Sequence, residues 1–137
     1  MKSQFKQTSK RINDEVNHVL KEIDEQQIDL FMDDVLSKDR IFIPGVGRTG
    51  LMMKSFSMRL MHLGLKVFYI GETNTPSVNH NDLLIVGSGS GETLSLVSIT
   101  EKAKKLGVKM VLFTIDDSST LAKQASRIIK ILSLIHI

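Results

Sequence analysis

The chain has 137 residues, of which 42% are hydrophobic and 24% charged, and its formal net charge is +3. These values are typical of a single globular domain with its own core, and so small a charge gives no support to a nucleic-acid partner. The chain contains no cysteine and its four histidines show no ligand spacing, which excludes disulfides and thiolate metal sites. Since it has neither a membrane-length apolar run nor a signal peptide, we expect a cytoplasmic protein.

Apolar side chains recur at three- and four-residue spacing in two stretches before the first predicted strand. The first stretch predicts an amphipathic helix over residues 8–23. The second follows Asp24 and Gln27, which resemble a capping box, and predicts a helix that continues to Leu36. We expect these two helices (residues 1–37) to pack on the rest of the domain or on a neighbouring subunit.

Strands and helices alternate over the rest of the chain. Strands are predicted at 40–44, 66–70, 83–86, 108–115 and 128–132, and helices at 51–63, 92–106 and 119–125. This alternation predicts an α/β fold, a three-layer α/β/α sandwich with a mostly parallel five-stranded sheet of flavodoxin or Rossmann type, with a core domain over residues 38–131. Right-handed crossovers place the carboxyl ends of the strands at one edge, where such sheets bind ligands.

A glycine- and serine-rich turn follows the most apolar predicted strand. It consists of Gly87, Ser88, Gly89, Ser90, Gly91, Glu92 and Thr93. Glycines let a ligand approach the backbone, and the N–H groups that begin the next helix favour negative charge. With three hydroxyl groups beside them, this pattern indicates a phosphate monoester site; the alternative is a flexible turn capped by Ser90.

A second glycine turn follows the first predicted strand. Residues 45–50 match the dinucleotide pattern G-x-G-x-x-G, and Glu72 lies near the place of an acidic ribose ligand. A dinucleotide site is therefore an open alternative. However, Arg48 and Thr49 within this turn are better suited to a phosphate monoester, and the turn at 87–93 competes for the ligand.

Further candidates at this edge are Ser55, on the helix after the second glycine turn, and the carboxylates Glu72 and Glu92. The alternative for Glu92 is simply to complement a helix N-terminus. No other carboxylate is predicted near the site.

These motifs together resemble the sugar isomerase (SIS) domain family, and within it the 6-phospho-3-hexuloisomerases. The similar segments lie at 45–50, 54–64, 71–76 and 87–93, and the resemblance extends from the first helix to about residue 131. It implies interconversion of 3-hexulose 6-phosphate and fructose 6-phosphate through an enediol, in the ribulose monophosphate route of formaldehyde fixation, without a metal or other cofactor.

The resemblance also implies a division of roles within the site. Ser88, Gly89, Ser90 and Thr93 would hold the phosphate group, and Gly47, Arg48 and Thr49 would line the sugar. The family implies a homo-oligomer, usually a tetramer, with no nucleic-acid or membrane partner.

The end of the sequence departs from the family. The carboxylate proposed as the base in these isomerases, and a histidine, lie in a further helical stretch that has no counterpart here, so the catalytic residues stay unknown. Residues 132–137 do not resemble the family, and we expect a truncated chain with an intact phosphosugar cradle and impaired or absent isomerase activity. The alternatives are a non-catalytic sugar-phosphate-binding module, another phosphosugar isomerase and a dinucleotide-binding enzyme.

Overall fold

The computed structural model describes residues 2–132, so the expectations for the tail at 133–137 lie outside the described residues. The elements in chain order are α1 (Lys2–Lys21), α2 (Glu25–Ser37), β1 (Ile41–Ile43), α3 (Gly47–His62), β2 (Val67–Tyr69), β3 (Leu83–Gly87), α4 (Leu94–Lys105), β4 (Lys109–Thr114), α5 (Thr120–Gln124) and β5 (Arg127–Lys130).

The five strands form one sheet in the order β2-β1-β3-β4-β5, and all neighbouring strands are parallel. Ile41 pairs with Val67 on one side and with Leu83 on the other, so β1 lies between β2 and β3. The predicted parallel five-stranded α/β fold is confirmed. The strand order reverses direction between β1 and β3, which is where doubly wound sheets open a ligand crevice at their carboxyl edge.

Successive residues of each strand face opposite sides of the sheet, and this produces two cores. On one side, Ile41 and Ile85 pack in a buried cluster with Phe31 of α2 and Met53 of α3. On the other side, Phe42 belongs to a cluster formed with α4 and α5. Helices cover both faces of β3, and this strand is buried along its whole length. This explains why its sequence is continuously apolar.

Three helices begin two or more residues away from the predicted position. Helix α1 begins at Lys2 rather than at residue 8. The side chains of residues 3–7 are mostly polar and exposed, so apolar spacing does not mark this part of the helix. Helix α3 begins at Gly47, not at 51, so Arg48 and Thr49 lie in its first turn and not in a loop. Helix α4 begins at Leu94, not at 92, because Thr93 has an extended backbone and serves as the N-cap residue.

Helix α2 is linked to the sheet by ion pairs of a buried carboxylate. Asp34 is only 4% exposed, and its carboxylate accepts hydrogen bonds from Arg127 Nε at 2.5 Å and Nη2 at 3.3 Å. Lys109 Nζ lies 2.6 Å from the same carboxylate. The N-terminus of α2 is capped by Asp24, whose side chain accepts a hydrogen bond from the Gln26 N–H group. By contrast, α1 exposes large apolar side chains, among them Phe5 and Leu20.

Candidate functional site

The turn that leaves β3 is folded by its own side chains. Ser88 is buried, and its Oγ accepts a hydrogen bond from the Gly91 N–H group at 3.0 Å. The Ser88 hydroxyl also lies 3.2 Å from Thr93 Oγ1, and the Ser90 hydroxyl accepts from the Glu92 N–H group at 3.2 Å. We call residues 88–93 the phosphate loop.

This arrangement leaves hydroxyl protons for a ligand. Each hydroxyl group has one donor and two acceptor positions. Ser90 uses an acceptor position within the loop, so its proton is free to point outward. Of the Ser88–Thr93 pair, one proton is used between the two oxygens and one remains, and the half-buried Thr93 is better placed to present it than the buried Ser88.

Backbone donors converge on the same place. Among residues 2–132, the N–H groups of Gly89 and Ser90 find no acceptor, and Thr93 makes no side-chain cap to α4. The N-cap residue of α3 is Val46, whose apolar side chain makes no capping hydrogen bond to that helix. Both helices are long enough to carry a helix dipole, and both begin at the carboxyl edge of the sheet. The edge therefore presents N–H groups and positive helix ends, which favour an anion.

A cavity of about 410 Å³ lies between the phosphate loop and α3. It is lined by Thr49, Met52, Met53, Phe56, Gly87, Ser88, Gly89, Phe113, Thr114, Ile115 and Ile131. Its wall is largely apolar, and its polar side chains are two threonines and Ser88. This combination suits a small ligand that is held by a few polar groups at one end.

The G-x-G-x-x-G pattern has a packing explanation. A Cβ atom at Gly45 would lie 2.6 Å from Gly50 Cα, and one at Gly50 would lie 2.7 Å from the Gly45 carbonyl carbon. The first and third glycines therefore bring the start of α3 against the end of β1. Gly47 has a φ of 61°, which side-chain-bearing residues rarely adopt.

The predicted site residues fall into two groups. Thr49, Ser88 and Gly89 line the cavity, Gly47 and Arg48 lie beside Thr49 in the first turn of α3, and Ser90 and Thr93 lie on the phosphate loop. Ser55 and Glu72 are not brought to this cavity. Ser55 lines a separate surface cavity with Lys54 and Tyr69, and Glu72 pairs with Lys54 at 2.8 Å.

The carboxylate Glu92 binds a neighbouring helix. Its two oxygens accept hydrogen bonds from the Thr120 N–H group at 2.8 Å and from the Thr120 hydroxyl at 2.6 Å. These bonds hold the pKa of Glu92 below its ordinary value. Glu92 thus interacts with the N-terminus of α5. Its position in the sequence, just before α4, had instead suggested an interaction with the N-terminus of α4.

Sequence reasoning missed the carboxylates of Asp116 and Asp117 at this edge. Asp116 lies just beyond the end of β4, and its Oδ1 accepts hydrogen bonds from the Ser118 hydroxyl and from the Ser118 N–H group. These two bonds lower the pKa of Asp116. The expectation that Glu72 and Glu92 were the only carboxylates near the edge was therefore wrong. The end of β4 was the available signal, since all parallel strands end at the same edge.

Two negative findings apply to residues 2–132. No three histidine, aspartate or glutamate side chains there are grouped as a metal ion would require. No helix in that part of the chain combines the length and the apolar character needed to cross a membrane.

The fold and the phosphate loop define a doubly wound α/β domain with a candidate anion site at its carboxyl edge. The chain belongs to the SIS domain family, whose model matches residues 35–137.

Individual relatives are similar over most of the chain. The 3-hexulose-6-phosphate isomerase of Bacillus subtilis (strain 168) is 46% identical over 108 residues, which cover 79% of this chain. A solved structure described as a hypothetical protein is 35% identical, with a TM-score of 0.89 over 97% of this chain and 71% of that one.

A hypothetical protein from Methanococcus jannaschii is 38% identical, with a TM-score of 0.75 over 77% of this chain and 59% of that one. Its structure is described as inferring a molecular function of 3-hexulose-6-phosphate isomerase. The present chain spans 58% of the length of the Bacillus subtilis relative.

Proposed function

We propose that the phosphate loop binds the phosphate group of a sugar phosphate, and that the protein interconverts 3-hexulose 6-phosphate and fructose 6-phosphate. The observation that carries this proposal is the presence in one loop of two hydroxyl protons not used within it and of the Gly89 and Ser90 N–H groups, which have no acceptor among residues 2–132. The names of the Bacillus subtilis and Methanococcus jannaschii relatives support the choice of sugar phosphate.

In this proposal, the phosphate group lies against the loop and the sugar extends over the first turn of α3. Ser90 and Thr93 donate their hydroxyl protons and Gly89 its N–H group, while Ser88 chiefly holds the loop together through the Gly91 N–H group. Arg48, which is exposed in the first turn of α3, contributes positive charge, and Gly47 and Thr49 line the sugar.

The chemistry moves a carbonyl group between carbons 3 and 2 of the sugar. A base removes the proton from carbon 2, the C3 carbonyl becomes part of an enediol, and a proton is returned to carbon 3 as carbon 2 becomes the carbonyl. A hydrogen-bond donor near the oxygen that gains charge lowers the barrier to this step.

We assign no catalytic base among residues 2–132. The carboxylates at the carboxyl edge already have partners: Glu72 pairs with Lys54, Glu92 binds Thr120 and Asp116 binds Ser118. Asp117 lies 3.5 Å from Lys130. Ser55 on α3 and Glu72, which pairs with Lys54 of α3, lie away from the cavity and are lesser candidates for contact with the sugar.

Ligand-dependent melting tests the binding proposal. We expect fructose 6-phosphate to raise the melting temperature of the chain, because a ligand that binds only the folded state stabilises it by an amount that grows with the ratio of its concentration to its dissociation constant. Fructose without phosphate, and NAD, should leave the melting temperature unchanged. Stabilisation by NAD alone would favour the dinucleotide alternative and contradict the proposal.

Substitutions in the loop identify the donors. Ser90→Ala and Thr93→Val should each weaken fructose 6-phosphate binding by about tenfold or more, since a hydrogen bond to a charged group contributes about 1.5–3 kcal/mol. Ser98→Ala, at an exposed serine of α4, is the matched control and should bind as the unaltered chain does. An isomerisation assay with 3-hexulose 6-phosphate tests the catalytic proposal separately.

The proposal extends to assembly and location. We propose a homo-oligomer, a tetramer as the family resemblance implies, that acts in the cytoplasm. Exposed apolar side chains on two helices support an assembly of copies: Phe5, Ile12, Val16 and Leu20 on α1, and Leu51, Met52, Met58 and Met61 on α3.

A further inference from the structure

We propose that Glu92 is a positioning residue, which holds the phosphate loop in its binding shape by fastening it to the N-terminus of α5 through Thr120. This inference rests on the proposed function of the loop as a phosphate site. It differs from a contact role, because the side chain would act on the ligand only through the backbone of the loop.

Both carboxylate oxygens of Glu92 accept hydrogen bonds from α5. The Thr120 N–H group and the Thr120 hydroxyl occupy one oxygen each, at 2.8 Å and 2.6 Å. Both donors belong to Thr120, the first residue of α5. The side chain is therefore directed to α5, across 28 residues of sequence.

The phosphate loop needs contacts with neighbouring elements to keep its shape. Gly89 and Gly91 give its backbone wide conformational freedom. On the side of β4, the Gly89 carbonyl accepts hydrogen bonds from the Ile115 N–H group at 3.2 Å and from the Thr114 hydroxyl at 3.3 Å. On the side of α5, the Gly91 carbonyl accepts from the Leu121 N–H group at 3.0 Å. The Glu92–Thr120 pair is the side-chain anchor on that side.

The phosphate loop packs closely against the start of α5. Gly91 has a φ of 68°, and a Cβ atom placed there would lie 1.9 Å from Ser119 Oγ. Ser119 is itself buried, and its Oγ accepts a hydrogen bond from the Ala122 N–H group. A shift of α5 toward the loop would therefore displace Gly91, and a shift away from it would break the hydrogen bond from the Leu121 N–H group to the Gly91 carbonyl.

The charge of Glu92 and its link to Thr120 should have opposite effects on phosphate affinity. A carboxylate beside a phosphate site repels the ligand, so removal of the charge alone should not weaken binding. Glu92→Gln removes the charge but keeps an oxygen for the Thr120 N–H group and an amide that can bond the hydroxyl. Glu92→Ala removes both the charge and the link.

The experiment measures dissociation constants for fructose 6-phosphate and for inorganic phosphate by titration calorimetry. We expect Glu92→Ala to weaken binding by about tenfold, Thr120→Val by about threefold, and the double variant no more than Glu92→Ala, because the two side chains act as one unit. Glu92→Gln and Thr120→Ser should bind at least as tightly as the unaltered chain, and so should the control Glu101→Ala on the exposed face of α4.

Two results would overturn the inference: Thr120→Val binding with unchanged affinity, or additive effects of the two substitutions. A merely structural role would lower the melting temperature of both variants without a change in affinity.

Amide hydrogen exchange on the ligand-free chain separates failure of this inference from failure of the proposed function. We expect faster exchange at Gly91 and Leu121 in Glu92→Ala and in Thr120→Val than in the unaltered chain. If no sugar phosphate binds the unaltered chain, the proposed function fails, and the exchange rates alone decide whether Glu92 holds the loop. Unchanged exchange in both variants would contradict the inference.

Discussion

At the scale of single residues, the phosphate loop depends on one position that accepts only glycine. Gly91 combines a left-handed φ of 68° with the closest approach to a neighbouring side chain among the glycines, at Ser119. A side chain there would be strained by the backbone and would also collide with a buried residue. The loop and α5 are for this reason one packed unit.

We predict that Gly91→Ala lowers the free energy of unfolding by about 2 kcal/mol or more and abolishes fructose 6-phosphate binding. Left-handed backbone at alanine costs about 1–2 kcal/mol, and displacement of Ser119 adds to it. The matched control is Gly64→Ala, since Gly64 also has a positive φ but a Cβ atom there would meet nothing within 4 Å. Urea unfolding and calorimetric titration measure both effects. Equal losses of stability in the two variants would show that the collision with Ser119 contributes nothing.

At the scale of secondary-structure elements, α2 is held on the sheet by the cluster of Asp34, Lys109 and Arg127. The pair Asp34–Arg127 joins residues 93 positions apart, and Lys109 comes from the neighbouring strand β4. One carboxylate therefore connects a helix to two strands, in addition to the apolar contacts of Phe31 and Val35.

We predict that Asp34→Ala destabilises the fold by about 3 kcal/mol, because it leaves two cations without their buried partner. Asp29→Ala, at an exposed position of the same helix, should change the free energy of unfolding by less than about 0.5 kcal/mol. Chemical denaturation of the three proteins measures the difference. A loss no larger in Asp34→Ala than in the control would show that the cluster does not stabilise the attachment of α2.

Because Asp34 is ionised in this cluster, we expect the free energy of unfolding to depend on pH. Burial raises the pKa of Asp34, but hydrogen bonds and charge from Arg127 and Lys109 outweigh burial, so the pKa lies below its ordinary value of 3.8. A lowered pKa in the folded state contributes stability that is complete above the ordinary value and is lost as the pH falls through the folded-state pKa.

We therefore expect the stability difference between the unaltered chain and Asp34→Asn to be constant from neutral pH down to about pH 5, and to shrink below about pH 4. Urea unfolding of both proteins across this range measures it. A difference that grew on acidification would mean that the pKa of Asp34 is raised in the folded state. The comparison isolates Asp34 from Glu92 and Asp116, whose pKa values are also lowered.

At the scale of the whole molecule, the surface carries apolar side chains that the domain itself does not cover. On α1, Phe5 is 76% exposed and Leu20 is 60% exposed, although their spacing with Ile12 and Val16 marks one face of the helix. An apolar stripe of this kind is expected to be covered by another surface.

We predict that light scattering finds an assembly of several copies, and that Ile12→Lys together with Leu20→Lys shifts it to smaller species. The circular dichroism spectrum should remain that of the unaltered chain, since both side chains are exposed within one molecule. Asn13→Lys together with Asn17→Lys, on the polar part of the same helix, is the control for added charge. A monomeric unaltered chain would contradict the assembly proposal.

The sequence by itself determined the order and type of every element, because these depend on local signals. Apolar periodicity separates helices from strands, the glycines mark the turns, and Asp24 identifies the start of α2. The position of the phosphate loop at the sheet edge also followed, since parallel strands end together. The predicted helix boundaries were less accurate: α3 begins at Gly47 and not at residue 51, and α4 begins at Leu94, after the N-cap residue Thr93, and not at Glu92.

Only the tertiary structure decided what each polar side chain binds. The partners of Asp34 and Glu92 lie 93 and 28 residues away in sequence, and no local pattern relates such positions. The orientation of α3 about its axis turns Ser55 away from the cavity and Thr49 toward it. This orientation is set by the packing of Gly45 on Gly50 and of Met53 against Gly87. Contacts between distant segments depend on how whole elements pack, and for this reason the three-dimensional fold alone established them.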